Sequence, residues 1–270
     1  MNVAALLAEA GAALPPAEAR LLLRQVLGLG AAALAAHPQR PVGAREAASF
    51  RGLVARRAAG EPAAYLSGLR EFYGLDFSVT PDVLVPRAET ELLVDIARED
   101  GAGTILELGT GSGCVAVAVA RHLPAARLTA VDRSPAALAV ARANAARHGT
   151  RIRFLEGDWF APLAGERFEL ILANPPYVAE ADPHLAGELR FEPRDALAAG
   201  PDGLDAIRRI VAAAPDHLLA GGRLWLEHGY DQAEAVAALL AAAGFGVLGQ
   251  RRDLAGIVRV SGGRLMQERP

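Results

Sequence analysis

At 270 residues the chain exceeds the usual size of one domain, and its 52% apolar content suffices for two cores. A single cysteine, Cys114, excludes an internal disulfide or a multi-cysteine zinc site, and no uncharged apolar run reaches the roughly 18 residues of a membrane span. The net charge of −3 is uneven: residues 1–75 carry 8 Arg against 5 acids, and residues 76–270 carry 20 against 26. The larger part is therefore acidic, which weighs against capture of nucleic acid through its phosphates.

The start, Met1–Glu9, has no basic segment and acquires an acid early, unlike a signal peptide; a cytoplasmic protein is expected. Leu6, Leu7, Leu21, Leu22, Leu23, Val26 and Leu27 recur at helical spacing, interrupted by Gly11 and Pro15-Pro16. Residues 43–59 continue this style, with Phe50, Leu53 and Val54 on one face. The pattern predicts a small all-helical domain of four or five helices closing near residue 60. It carries no catalytic constellation, so recognition is its expected role and a packing appendage the alternative. Gly60-Glu61-Pro62 opens an irregular segment. Alternation in Leu75–Val79 and in Val83–Val85, separated by Thr80-Pro81-Asp82, predicts a β-hairpin. Pro86–Glu91 then starts a helix whose early acids suit its positive end.

Thr104–Leu108 reads as a buried strand, followed by glycines at alternate positions in Gly109-Thr110-Gly111-Ser112-Gly113 and a helical run from Cys114 to Arg121. Such glycines allow a tight turn and close approach of the backbone to a bound molecule. A dinucleotide fingerprint would need glycine at 114, where Cys114 stands, and a phosphate-binding P-loop would need a lysine, which this chain lacks entirely. What remains is a carboxylate, Glu107, ahead of a G-x-G-x-G loop. The next strand, Arg127–Asp132, ends in an acid 19 residues beyond Gly113, the distance at which such a carboxylate meets ribose hydroxyls in doubly wound nucleotide-binding folds. A third strand, 151–156, ends in Gly157-Asp158-Trp159-Phe160, which offers a carboxylate and an indole at the same edge.

A fourth strand, Phe168–Ala173, stops abruptly at Asn174-Pro175-Pro176-Tyr177, because consecutive prolines lack N–H donors and fix φ. An Asn oxygen and a rigid carbonyl are both acceptors and together can hold a planar NH2 group by its two hydrogens. The face of Tyr177 is available for stacking. An insertion, 178–200, follows. Helix 203–219, strand 223–227, helix 231–243 and strands 245–250 and 257–262 complete a seven-strand α/β pattern, its last two strands close enough to pair antiparallel.

This order resembles the class I S-adenosylmethionine-dependent methyltransferases that modify planar amino or amide nitrogens through a [D/N]-P-P-[Y/F] motif. The resemblance implies a Rossmann-like, seven-strand sheet with S-adenosyl-L-methionine as cofactor. It would be bound by Glu107, the Gly109, Thr110, Gly111, Ser112 and Gly113 loop, Asp132 at the ribose, Asp158 and Trp159 at the adenine, and Asn174. Gly60-Glu61-Pro62, Gly68-Leu69-Arg70-Glu71-Phe72, Val85–Glu91, Asp182-Pro183-His184-Leu185, Arg190-Phe191-Glu192-Pro193 and Leu226-Glu227-His228-Gly229 narrow the likeness. They are similar to the PrmC/HemK family of protein-(glutamine-N5) methyltransferases; Ala88 departs from it, since proline usually follows Pro-Arg there.

The family resemblance implies that the substrate is the glutamine of the Gly-Gly-Gln loop in class I peptide chain release factors, with no direct nucleic-acid or membrane partner. The expected domains are 1–74 (helical recognition domain with a connecting segment), 75–86 (hairpin linker) and 87–270 (methyltransferase domain). Asn174, Pro175 and Tyr177 are the candidate catalytic residues, and Asn174, Pro175, Pro176 and Tyr177 the candidate substrate site. A ribosomal-protein glutamine methyltransferase shares this chemistry and is the nearest alternative. An adenine methyltransferase is disfavoured by charge, and a regulator without turnover by the intact Asn-Pro-Pro-Tyr tip. The six histidines lack paired metal-ligand spacing, so no metal is expected. Arg87, Glu89, Glu227 and the Arg190–Glu192 stretch are open between site roles and ordinary helix-start, strand-end or loop roles.

Overall fold

The computed structural model describes residues 1–266. The chain divides into two compact units: Met1–Leu69 with Ala186–Phe191, and Arg70–Leu185 with the residues from Glu192 onward.

The first unit contains helices α1 (Val3–Ala10), α2 (Pro16–Leu27), α3 (Ala31–Ala36), α4 (Ala44–Ala58) and α5 (Ala63–Ser67). Asn2 Oδ1 accepts from the Ala5 N–H at 2.9 Å and caps α1. Pro16 opens α2, where its missing N–H costs nothing. Leu6, Leu22, Leu23 and Phe50 are buried in one cluster, each large side chain contributing roughly 1.5–3 kcal/mol. Part of the insertion expected after the Asn-Pro-Pro-Tyr tip belongs to this unit: the Arg190 guanidinium donates to the Ala59 carbonyl at 2.5 Å.

In the second unit, β1 (Leu69–Phe72) and β2 (Leu75–Ser78) form a two-stranded sheet, one strand earlier than the sequence pattern predicts. Val83–Val85 is not a strand. The turn is Tyr73-Gly74, both at positive φ (53° and 72°), a two-residue link whose twist suits a hairpin. Thr80-Pro81-Asp82 instead forms a turn closed by the Val83 N–H on the Thr80 carbonyl at 3.1 Å, followed by irregular chain. Nor is the hairpin a mere linker, because Phe72 and Phe77 are buried in the same cluster as Leu93, Ile105 and Val117.

The main sheet runs from α6 (Glu91–Asp100) onward, through β3 (Thr104–Leu108), α7 (Cys114–His122), β4 (Arg127–Asp132), α8 (Pro135–Arg147), β5 (Arg153–Glu156) and β6 (Phe168–Ala173). It continues with α9 (Asp205–Ala213), β7 (Leu218–Glu227), α10 (Ala233–Ala242), β8 (Phe245–Arg252) and β9 (Val258–Leu265). Among the described residues it has seven strands, ordered β5-β4-β3-β6-β7-β9-β8. β5 to β7 are mutually parallel in this order, and β9 is antiparallel to both β7 and β8. The predicted helix 203–219 is shorter: Pro215 cannot donate to the helical ladder, and the chain passes into a 3₁₀ turn, Ala214–His217, before the longer strand β7.

The chain winds from β3 outward through β4 to β5, then returns to lay β6 on the other side of β3. Ligands bind at such a reversal, beyond the C-terminal strand ends. The glycine loop leaves β3 and the Asn-Pro-Pro-Tyr bend leaves β6 at that edge.

Candidate active site

A cavity of about 770 Å³ opens at this edge, within the roughly 300–1,000 Å³ of small-molecule sites. Glu107, Gly109, Thr110, Gly111, Ser112, Asp132, Asp158, Trp159, Asn174 and Pro176 all line it. Gly113, Pro175 and Tyr177 do not belong to its wall. Gly113 is instead a packing position: it sits at φ 78°, and a Cβ there would lie 3.0 Å from the Ala141 Cβ, so glycine lets α7 approach α8 closely. Pro175 is buried. The Tyr177 ring packs on the apolar cluster that includes Leu226 and Val236, and its hydroxyl donates to Glu227 Oε1 at 3.2 Å. Stacking on the Tyr177 face, an expectation from sequence, finds no open ring at the cavity wall.

The loop after β3 is braced by carboxylates. Glu107 Oε2 accepts from the Thr110 hydroxyl at 2.5 Å and from the Ala116 N–H at 3.2 Å. Burial, against these hydrogen bonds, pushes its pKa up to about 8. Asp132 Oδ2 accepts from the Gly111 N–H at 2.8 Å, and its Oδ1 accepts from the Ser134 N–H at 2.9 Å. Each Asp132 oxygen retains a second lone pair for a ligand. Cys114, just inside α7, is buried, and its thiol is pushed up to about 12 mainly by burial, which makes it an inert packing residue.

Trp159 adopts φ 51°, an uncommon conformation for a bulky side chain, and its ring stands beside Gly109. Asp158 is paired with Arg209 at 2.5 Å. Sequence reasoning missed several further wall residues, including Thr90, Arg133, Asp195 and Arg209. Arg133 pairs with Asp195 at 2.7 Å. Behind the wall, Glu192, with a side chain only 3% exposed, pairs with Arg87 at 2.5 Å and accepts from the Val85 N–H at 3.0 Å. Arg87 itself lines the cavity, and Glu192 is a buried anchor rather than part of a solvated loop.

At the bend after β6, Asn174, which lines the cavity, donates from Nδ2 to Thr90 Oγ1 at 3.0 Å. Burial pushes Glu227 up to about 7, and the Thr90 and Tyr177 hydroxyls oppose this by stabilising its charged form. Among the described residues, no group of three or more His, Cys, Asp or Glu side chains is arranged to hold a metal, and no helix is long and apolar enough to cross a membrane.

Residues 87–200 match the family model of the methyltransferase small domain, and residues 2–68 match that of the PrmC N-terminal domain. Among solved structures, the chain resembles a methyltransferase from Pyrococcus furiosus, with TM-score 0.57 and 18% identity over 80% of this chain and 98% of that one. It also resembles the 16S rRNA N2 G1207 methyltransferase of T. thermophilus, solved with AdoMet and guanosine, with TM-score 0.54 and 19% identity over 73% of this chain and 49% of that one. At such identities the likeness concerns the fold. Fold and glycine loop together define a class I methyltransferase. A release factor glutamine methyltransferase of Bordetella pertussis is 54% identical over 96% of this chain and 98% of its own length, and one of Burkholderia pseudomallei is 55% identical over 92% and 91%. The chain belongs to the release factor glutamine methyltransferase family.

Proposed function

We propose that this chain methylates the side-chain amide nitrogen of the glutamine in the Gly-Gly-Gln loop of class I release factors, with S-adenosyl-L-methionine as methyl donor. The cavity fits that cofactor in size and donor set. The backbone of Gly109–Ser112 offers close approach for its amino-acid part, the free lone pairs of Asp132 suit ribose hydroxyls, and Asp158 and Trp159 suit a purine. When bound, the cofactor supplies an electrophilic methyl carbon.

The protein's own task is to present a poor nucleophile, since the lone pair of a primary amide nitrogen is delocalised into its carbonyl. The observation that carries the reading is the Asn174 amide, whose Nδ2 is tied to Thr90 at 3.0 Å and whose Oδ1 is left to accept. Asn174 Oδ1 accepts one hydrogen of the substrate amide, raises electron density on its nitrogen and fixes its direction, while Pro175, buried outside the cavity wall, holds the bend. Alignment of this kind lowers a barrier by up to roughly 7–11 kcal/mol, and acceptors aimed at developing positive charge add to it in a water-poor pocket. Tyr177 packs behind the bend, its hydroxyl on Glu227 and its ring outside the cavity wall.

The test is transfer of labelled methyl from S-adenosyl-L-methionine to a purified class I release factor. Label should enter the wild-type factor and not one whose Gly-Gly-Gln glutamine is replaced by alanine. Equal labelling of both factors would refute the reading.

A further inference from the structure

Pro175 and Pro176 have no backbone N–H, so the Asn-Pro-Pro-Tyr bend has few donors of its own with which to fix itself. Its far end is held from outside. Gln232 stands immediately before α10, and its Nε2 donates to the Tyr177 carbonyl at 3.0 Å and to the Asp202 carbonyl at 3.3 Å. Its Oε1 accepts from the Gly229 N–H at 2.8 Å. Gln232 is 9% exposed and does not line the cavity. One amide thus joins the bend after β6, the turn before α9 and the chain leaving β7.

The direction of this amide is determined by its partners. All three are backbone groups, and a carbonyl only accepts while an N–H only donates. A turned-over amide would point its oxygen at two carbonyls and its NH2 at an N–H. Space is reserved for the junction as well: Gly203 sits at φ 74°, and a Cβ there would collide with the Tyr177 carbonyl oxygen and lie 2.9 Å from Gln232 Nε2. Nor does the side chain serve its own helix, since Gln232 makes no cap hydrogen bond to α10, a task for which Ser, Thr, Asp and Asn are preferred.

Two prolines of fixed φ separate Asn174 from Tyr177, and a residue before proline is itself restricted. The bend is therefore a stiff arm, with the Asn174 amide at one end and the held Tyr177 carbonyl at the other. A shift at the held end is carried to Asn174, and a misplacement of about 1 Å near reacting atoms costs about a hundredfold in rate.

We propose that Gln232 is a positioning residue that seats the bend and thereby aims Asn174 at the substrate amide. The proposal rests on the reading of Asn174 Oδ1 as the acceptor for that amide. Its test uses full-length Gln232→Met, Gln232→Glu and Asn174→Ala, assayed for kcat and KM on a class I release factor and for cofactor Kd by calorimetry. Gln232→Met keeps the length of the side chain and loses all three hydrogen bonds. Gln232→Glu keeps the acceptor for Gly229 and loses both donors.

Both Gln232 variants should lower kcat about ten- to a hundredfold with KM and cofactor Kd within about threefold, because neither touches the glycine loop or Asp132. Wild-type kcat in both, with Asn174→Ala inactive, would overturn the positioning role and leave the acceptor reading standing. Near wild-type kcat in Asn174→Ala would overturn both. A loss of cofactor affinity as large as the loss of kcat would mean that Gln232 only supports the fold, and would overturn the proposal. Should Gln232→Met fold poorly, the same measurements on Gln232→Glu decide the matter alone.

Discussion

Asp132 binds the loop backbone with both of its oxygens, at Gly111 N and Ser134 N, and in the proposed complex it also meets the ribose. Asp132→Ala should therefore raise the cofactor Kd by at least tenfold, roughly the 1.4 kcal/mol that separates a made from a lost charge-assisted hydrogen bond. Calorimetric titration checks this, and unchanged affinity would remove Asp132 from the site. At this scale the sequence was readable where a residue's chemistry follows from its type and its place at a strand end, as for Glu107, Asp132, Asp158 and Asn174. It was silent on Thr90, because a threonine near a helix start looks the same whether it caps the helix or accepts from a side chain 84 positions away. It also over-read Tyr177, whose ring faces the apolar cluster and not the cavity.

Strands and helices bounded by strong signals were legible. Thr104–Leu108, Arg127–Asp132 and Phe168–Ala173 are short strands closed by a glycine loop, an acid or the Asn-Pro-Pro bend. The hairpin was misplaced because its first strand, Leu69–Phe72, lies in the segment read as irregular, and the apolar Val83–Val85 offered a partner on the wrong side of Leu75–Ser78. The positive φ of Tyr73 has no signature in residue type. Glu192, inside the insertion, was ambiguous for a similar reason: only tertiary structure reveals that it is buried against Arg87 and the Val85 N–H.

That anchor gives a prediction at the scale of the segment. Glu192→Ala leaves a buried N–H and a half-buried guanidinium without their acceptor, at a cost of about 1–3 kcal/mol. Its Tm should fall by roughly 2–4 °C for each kcal/mol lost, and cofactor affinity should fall because Arg87 is part of the wall. Glu192→Gln, which keeps one acceptor oxygen, should lose less. Calorimetry and titration of both variants check the ordering; equal stability in wild type and Glu192→Ala would contradict the burial argument.

Across the whole molecule, buried ionisable groups set the response to pH. Burial raises Glu107 to about 8 and Glu227 to about 7 from an ordinary 4.5. The folded chain therefore keeps protons that the unfolded chain releases above 4.5, and this stabilising contribution is complete below 4.5 and is lost as pH rises towards 8. His228, pushed down from 6.5 chiefly by burial, acts with the opposite sign, and its contribution is lost as pH falls through 6.5. Comparing Tm from pH 5 to 8 in wild type and Glu107→Gln isolates the first effect. Between about pH 5 and 8 the wild type should lose more Tm than Glu107→Gln, and parallel curves would contradict the assignment.

The account turns on Asn174 holding a glutamine amide toward the methyl donor. The most direct measurement is fragmentation mass spectrometry of a class I release factor after incubation with S-adenosyl-L-methionine and either wild-type protein or Asn174→Ala, with cofactor affinity measured on both. One methyl on the amide of the Gly-Gly-Gln glutamine is predicted with the wild type. With the variant, the rate should be lower by orders of magnitude at a cofactor Kd within several-fold. A methyl on a different residue, or the same glutamine modified at the same rate by the variant, would contradict it.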